Sequence, residues 1–171
     1  MSHRPNSNEY ATFYHTYVGK VPEGELIALL NNQLEATVAI FANLEEAQGA
    51  YRYGEGKWSI KEVLGHIIDT ERVMSYRALR VSRGDQTPLP GFEQDDYVAA
   101  FDANVRAFSD MIEEFKMVRQ STILFFKSCT DEMMLRTGTA SNCPISTRAL
   151  AYIILGHELH HVKILKERYL N

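Results

Sequence analysis

Four long stretches of this chain repeat apolar residues at three- and four-residue intervals, the period of a helix rather than of a strand. The first opens at Pro22 and Glu23 and carries Leu26, Leu30, Leu34, Thr37 and Phe41 on one face. The second follows the glycine-rich YRYGEGKW, with Ser59 placed to cap it and Glu62 at the capping-box position. Its stripe is Ile60, Val63, Leu64, Ile67, Met74, Ala78 and Val81. The third, expected to be the longest, is capped by Asp95 or Asp96 and aligns Phe101, Phe108, Ile112, Phe115, Thr122 and Phe126. The fourth starts at Ser146 or Thr147 and runs nearly to Asn171. Two turn-rich connections, RGDQTPLPGFEQDDY and TDEMMLRTGTASNCPIS, separate the helices, and neither alternates as a strand would. An amphipathic helix must bury its apolar stripe on its neighbours, so the pattern predicts an all-α four-helix bundle with at least one long crossover.

At 171 residues the chain is the size of one domain, expected to span 1–171 with residues 1–9 flexible. Its net charge of −4 lacks the basic footprint of a nucleic-acid binder. No stretch has the roughly 20 apolar residues that span a bilayer, and MSHRPNSNEY has no apolar export core. Cys129 and Cys143 form no CxxC pair and suggest no disulfide framework, so the expected location is the cytoplasm.

Chemistry concentrates in GHELHHVKIL, residues 156–165. On a helix that advances about 100° per residue, His157 and His161 fall near the centre of the stripe set by Leu150, Ile153, Ile154, Ile164 and Leu165. Two imidazoles one turn apart on one face suit a metal ion, whereas His160 lies on the shoulder. The letters match the H-E-x-x-H of zinc proteases, but only ten residues follow His161, without a histidine, and Ile164 stands where the extended motif needs glycine. A ferritin-like di-metal centre would need Glu-x-x-His twice, and Val63 precedes His66 by three residues. A single metal with a third ligand from upstream is favoured, and His66 is the natural candidate. Glu71 falls in the middle of the second helix's apolar face and requires a partner, either a basic side chain from a neighbouring helix or the site itself.

With WSIKEVLGHIIDTER, residues 58–72, and GHELHHVKIL together, the chain resembles the DinB/YfiT-like superfamily of metal-dependent enzymes over residues 10 to 170. The resemblance implies an up-down-down-up bundle, commonly a homodimer. It also implies one divalent metal on three histidines, which fall by motif on His66, His157 and His161. Relatives include transferases and isomerases that use low-molecular-weight thiols, and others are assigned as hydrolases. Zinc or nickel, with iron as a further choice, suits an all-imidazole set. The expected activity is therefore metal-dependent thiol transfer, slightly ahead of hydrolysis, on a small molecule. Glu158 is the candidate general base and Glu71 a candidate to orient an imidazole. The competing class is a non-catalytic bundle that binds a metal or a small ligand.

Overall fold

The structure, a computed structural model, describes residues 4–170, the side chain of Asn104 excepted. Seven helices and one hairpin follow in order: α1 (His15–Val18), α2 (Leu26–Ala42), α3 (Ile60–Ser82), α4 (Gln94–Ala100), α5 (Phe108–Lys127), α6 (Asp131–Leu135), β1 (Thr137–Ala140), β2 (Cys143–Ser146) and α7 (Thr147–Ile164). The bundle consists of α2, α3, α5 and α7. No helix among the described residues is long and apolar enough to cross a membrane.

Two apolar clusters stack along the bundle and give its topology. The lower one joins Phe41 at the end of α2 to Ile60, Val63 and Leu64 at the start of α3, Phe108 and Met111 at the start of α5, and Leu165 just after α7. The upper one joins Leu26 and Leu30 at the start of α2 to Met74, Ala78 and Val81 late in α3, Ile123 and Phe126 late in α5, and Leu150 and Ile153 early in α7. Thus α2 and α7 run one way and α3 and α5 the other, which is the up-down-down-up order. Parallel neighbours α3 and α5 cannot be joined by a tight turn, hence the long connection between them.

Local signals explain most helix ends. Ser59 and Glu62 form the expected capping box on α3, with Glu62 N donating to Ser59 Oγ at 3.2 Å and Ser59 N donating to Glu62 Oε2 at 2.6 Å. Ser146 caps α7. The first bundle helix begins at Leu26, later than expected from Pro22 and Glu23, because Glu25 is the residue whose carboxylate accepts from Ala28 N at 2.8 Å. Within α2 the buried positions are Leu26, Leu30, Gln33, Thr37 and Phe41, so Gln33 faces inward and Leu34 is only half-buried.

The expected third helix is two helices. After α4 the backbone turns extended at Phe101, and α5 starts only at Phe108, leaving α3, at 23 residues, as the longest helix. Asp95 and Asp96 lie in the first turn of α4, where their charge suits the helix dipole, while Glu93 is the cap residue. Ala107, at the cap of α5, has no side-chain acceptor; Glu46 from a distant loop supplies one, accepting from Phe108 N at 2.8 Å. The Lys61 ammonium holds Glu46 in place and donates to the Arg106 carbonyl at 2.7 Å.

The second connection, expected to be loop, contains α6 and an antiparallel hairpin in register Thr137↔Ser146 and Ala140↔Cys143. Strands of four residues are too short to show alternation. The turn between them puts Ser141 (φ 52°) and Asn142 (φ 62°) in the left-handed region, as tight hairpin turns require. The hairpin also pins the Pro88–Pro90 loop: Leu89 N donates to Thr139 O at 2.9 Å, and Ser141 N donates to Leu89 O at 3.0 Å.

Of residues 1–9, expected to be flexible, 1–3 lie outside the described residues and 4–9 make specific contacts. Arg4 donates to the carbonyls of Val18 and Val21, both at 2.6 Å. Glu9 accepts from Ser146 Oγ and Arg148 Nε, each at 2.7 Å. Burial pushes the Glu9 carboxyl up, but the Arg148 guanidinium and the hydrogen bonds prevail and hold its pKa at about 2.

Both glycines that precede a site histidine are close approaches. A Cβ on Gly156 would stand 2.0 Å from the Tyr17 carbonyl oxygen and 2.4 Å from its carbon, whereas one on Gly65 would meet the Phe101 ring at 2.4 Å. A half-buried ring can swing aside and a backbone carbonyl cannot. Gly156→Ala is therefore expected to cost about 3 kcal/mol or more, and Gly65→Ala about 1–2 kcal/mol. Urea unfolding of both variants checks the order; equal losses would show that the α1 backbone yields as easily as a side chain.

Candidate metal centre

His66 is carried by the second turn of α3, and His157 and His161 by the last two turns of α7. The two helices are antiparallel and pack closely, so the N-terminal end of α3 meets the C-terminal end of α7. Their side chains converge through Nε2: His66 to His157 at 2.8 Å and His161 to His157 at 3.1 Å. The three ligand-capable nitrogens all lie within 4.8 Å of one another.

The spacing fits a metal ion better than it fits hydrogen bonding. A neutral imidazole nitrogen offers either one N–H or one lone pair, so His157 Nε2 cannot satisfy two neighbouring ring nitrogens at once. Nitrogens at about 2.0–2.1 Å from a shared tetrahedral ion would stand about 3.3 Å apart, close to the two separations that meet at His157. All three imidazoles are also held in the neutral form that a metal ion needs. Burial, with the neighbouring rings adding, depresses the pKa of His66 to about 4, of His161 to about 3, and of His157 well below the ordinary imidazole value.

Aromatic rings wall the cluster. Trp58, just ahead of the α3 cap, lies 4.7 Å from the His66 ring and stacks 6.3 Å from that of His161. Tyr17 meets His157 edge-on at 5.4 Å and His160 at 5.5 Å. His160 is half-buried and lies outside the converging set, its pKa lowered by burial and by Lys20 and Lys163.

Glu158 does not join the histidines. One residue on from His157 it projects to a different face of α7, and its Oε2 accepts from Arg119 Nη2 at 2.6 Å and Gln33 Nε2 at 2.6 Å. Burial and the nearby Glu71 raise its pKa, while Arg119 and Thr37 oppose the rise. Glu71 takes the first of its two alternatives, a basic partner from a neighbouring helix: Arg119 Nε and Nη2 each donate to its carboxylate at 2.8 Å. Burial alone would lower the Arg119 pKa, yet the two carboxylates raise it above the ordinary guanidinium value and keep it charged.

Arg119 and Gln33 escaped the sequence reading although both left a trace in it. The α5 stripe steps through Phe108, Ile112, Phe115, Thr122 and Phe126, and the position missing from that rhythm is 119. In α2 the inward positions are 30, 33 and 37, with a glutamine in the middle. A polar residue that completes an apolar period is the signal of a buried polar contact.

A cavity of about 420 Å³ opens beside the cluster, with His66 and His157 at one end and Tyr14, Tyr17 and Phe92 among its walls. Two of the three histidines, His66 and His157, thus border a space of small-molecule size.

A family model described as the DinB superfamily matches residues 29–165. A protein of Oceanobacillus iheyensis named "Putative metal-dependent hydrolase" is 27% identical over 142 residues, 82% of this chain and 79% of the relative. YfiT from Bacillus subtilis, described as a "probable metal-dependent hydrolase with an unusual four-helix bundle topology", superposes with a TM-score of 0.70 at 14% identity, covering 96% of this chain and 90% of YfiT. A mycothiol-dependent maleylpyruvate isomerase superposes with a TM-score of 0.67 at 10% identity over 85% of this chain, which spans 61% of the isomerase. The DinB-like protein YjoA from Bacillus subtilis gives 0.59 at 18% identity over 84% of this chain and 88% of its own. These structural likenesses establish a shared fold. The family match runs from the first turn of α2 to the end of α7 and so takes in all four bundle helices and all three converging histidines; the chain belongs to the DinB superfamily.

Proposed function

We propose that the protein is a metal-dependent enzyme in which His66, His157 and His161 hold one divalent ion and present it to a small-molecule substrate in the adjoining cavity. The observation that carries this reading is the convergence of three neutral imidazoles, two of which, His66 and His157, line a cavity. Zinc or nickel, or iron, suits three imidazoles. Three protein ligands leave positions open, the mark of a catalytic rather than a closed structural site. When bound, such an ion supplies Lewis acidity that makes water or a thiol nucleophilic at neutral pH. Hydrolysis is supported by the names of the Oceanobacillus relative and of YfiT, and thiol chemistry by the mycothiol-dependent structural neighbour. The chain's own contribution is to keep the imidazoles deprotonated by burial and to shield them with Trp58 and Tyr17. A homodimer acting in the cytoplasm, without nucleic acid, completes the reading; the family resemblance and the net charge of −4 support it.

A second reading, a metal-binding bundle without turnover, is favoured by one observation: the nearest acidic side chain in sequence, Glu158, is committed to Arg119 and Gln33 rather than to the histidines. Elemental analysis of tag-free protein tests the shared part, with one equivalent of divalent metal per chain expected. Protein that stays metal-free after incubation with zinc or nickel and dialysis would overturn both readings. Turnover of ester or thiol substrates by the loaded protein then separates them.

A further inference from the structure

At the other end of the cavity stands Arg77, a buried cation of a different kind from Arg119. It is 2% exposed, yet among the described residues no carboxylate pairs with it. Its Nη2 donates to the Pro90 carbonyl at 2.6 Å and lies 3.4 Å from Ser141 Oγ. Its Nη1 lies 3.7 Å from the Met74 sulfur, the guanidinium also meets the Tyr14 hydroxyl, and it lies 5.8 Å from the Phe92 ring centre, so all of its partners are neutral. A guanidinium has five N–H donors, and leaving its charge buried without an anion is costly. Here the charge faces a cavity.

The cavity has a direction. His66, Thr70, Met74 and Arg77 all line it and, at spacings of four, four and three, occupy one face of α3. The helix rises about 16 Å between the first and the last, and an arginine on a helix leans toward the N-terminus, back toward His66. Midway, the Thr70 hydroxyl is buried with no hydrogen-bond partner among the described residues. Glu93 and Asp95 also line the cavity, but both are exposed, so solvent screens their charge.

We infer that this cavity takes an elongated molecule bearing a carboxylate, with the anion on Arg77, a polar group on Thr70 and the reacting end at the histidines. A carboxylate matches a single unpaired guanidinium in charge and in planar geometry, whereas a phosphate dianion would leave charge unmatched. The near end of this assignment rests on the proposed metal site; the Arg77 end does not. The hairpin is what positions that end, since the left-handed Ser141 brings its hydroxyl to the guanidinium and the pinned Leu89 loop presents the Pro90 carbonyl.

The test is calorimetric titration of wild type, Arg77→Gln and Arg77→Lys, each zinc-loaded and metal-stripped. The probes are octanoate, octanamide, octyl phosphate and the α,ω-dicarboxylates from succinate to sebacate. In stripped wild type, octanoate should bind about tenfold tighter than octanamide. Arg77→Gln should erase that preference and Arg77→Lys keep part of it. With zinc bound, affinity should peak at one dicarboxylate length, and Arg77→Gln should flatten the peak. Equal binding of octanoate and octanamide by wild type, or a preference unmoved in Arg77→Gln, would overturn the assignment and leave Arg77 as a clamp on the Pro90 loop. Tighter binding of octyl phosphate than of octanoate would overturn the carboxylate. Should Arg77→Gln fail to fold, the wild-type comparisons decide. Identical titrations with and without zinc, the octanoate preference intact, would sink the metal reading while leaving Arg77 in place.

Discussion

His157→Ala is expected to weaken zinc binding by roughly a thousandfold or more while the protein still folds. His157 is the ring that both other imidazoles approach, at 2.8 and 3.1 Å, so its loss leaves two nitrogens with no shared third. In the metal-free state the change is mild, because a crowded ring whose nitrogen cannot satisfy both neighbours is exchanged for a small cavity open to the adjoining pocket. The difference appears when zinc is added. A ligand that binds only the native state stabilises it by about 4 kcal/mol at a thousand times its dissociation constant. For a chain of this size that is a rise in Tm of about 10 °C. Wild type should show this rise and His157→Ala almost none at the same zinc concentration. Equal shifts in the two would mean that zinc stabilises the protein somewhere other than at the three histidines.

Arg119→Met should lower stability by about 3–5 kcal/mol, a fall in Tm on the order of 10 °C. Arg119 is fully buried and is the shared partner of Glu71 and Glu158, themselves 2% and 1% exposed in their side chains. A methionine fills much of the same volume but strands two carboxylates in the bundle interior, leaving Glu158 only the neutral donors Gln33 and Thr37 among the described residues. The cost is the desolvation of charge left unpaired, not the loss of an attractive pair. Converting all three positions together, Arg119→Met with Glu71→Met and Glu158→Met, should therefore recover most of the loss. Chemical denaturation of the single and triple variants measures both. A single variant within about 1 kcal/mol of wild type would show that the network adds little to stability. If the triple variant also retains zinc, Glu158 does not act through the metal site.

The helical period carried much of this description because it is a local property. Counting turns from Leu150 to Leu165 is enough to place His157 and His161 on one inward face, and in the structure their rings meet. The α3 cap at Ser59 is equally legible, since a cap is a contact between residues three apart, and of the two expected starts of α7 the structure makes Ser146 the cap and Thr147 the first helical residue. Where the reading failed, a distant partner decided. The break at Phe101 has no glycine or proline to announce it; the Phe101 ring packs on Gly65, and Glu46 from another loop accepts from the first amide of α5. The hairpin was missed because four-residue strands hold too little pattern and because its tip is stabilised by Leu89, about fifty positions upstream.

The same division runs through the functional residues. By itself the chain determined most of the helical segments, the apolar stripes of α3 and α7 and the pair of imidazoles one turn apart on α7, since each depends only on neighbours within a turn or two. Tertiary structure alone decided which helices lie side by side. It thereby brought His66 to within 2.8 Å of His157, turned Glu158 toward Arg119 instead of the histidines, and left Arg77 buried beside a cavity with no carboxylate paired to it among the described residues. The physical reason is that a stripe of apolar residues says how much surface a helix must bury but not against which partner. The charge a buried arginine or glutamate meets is set by the partner.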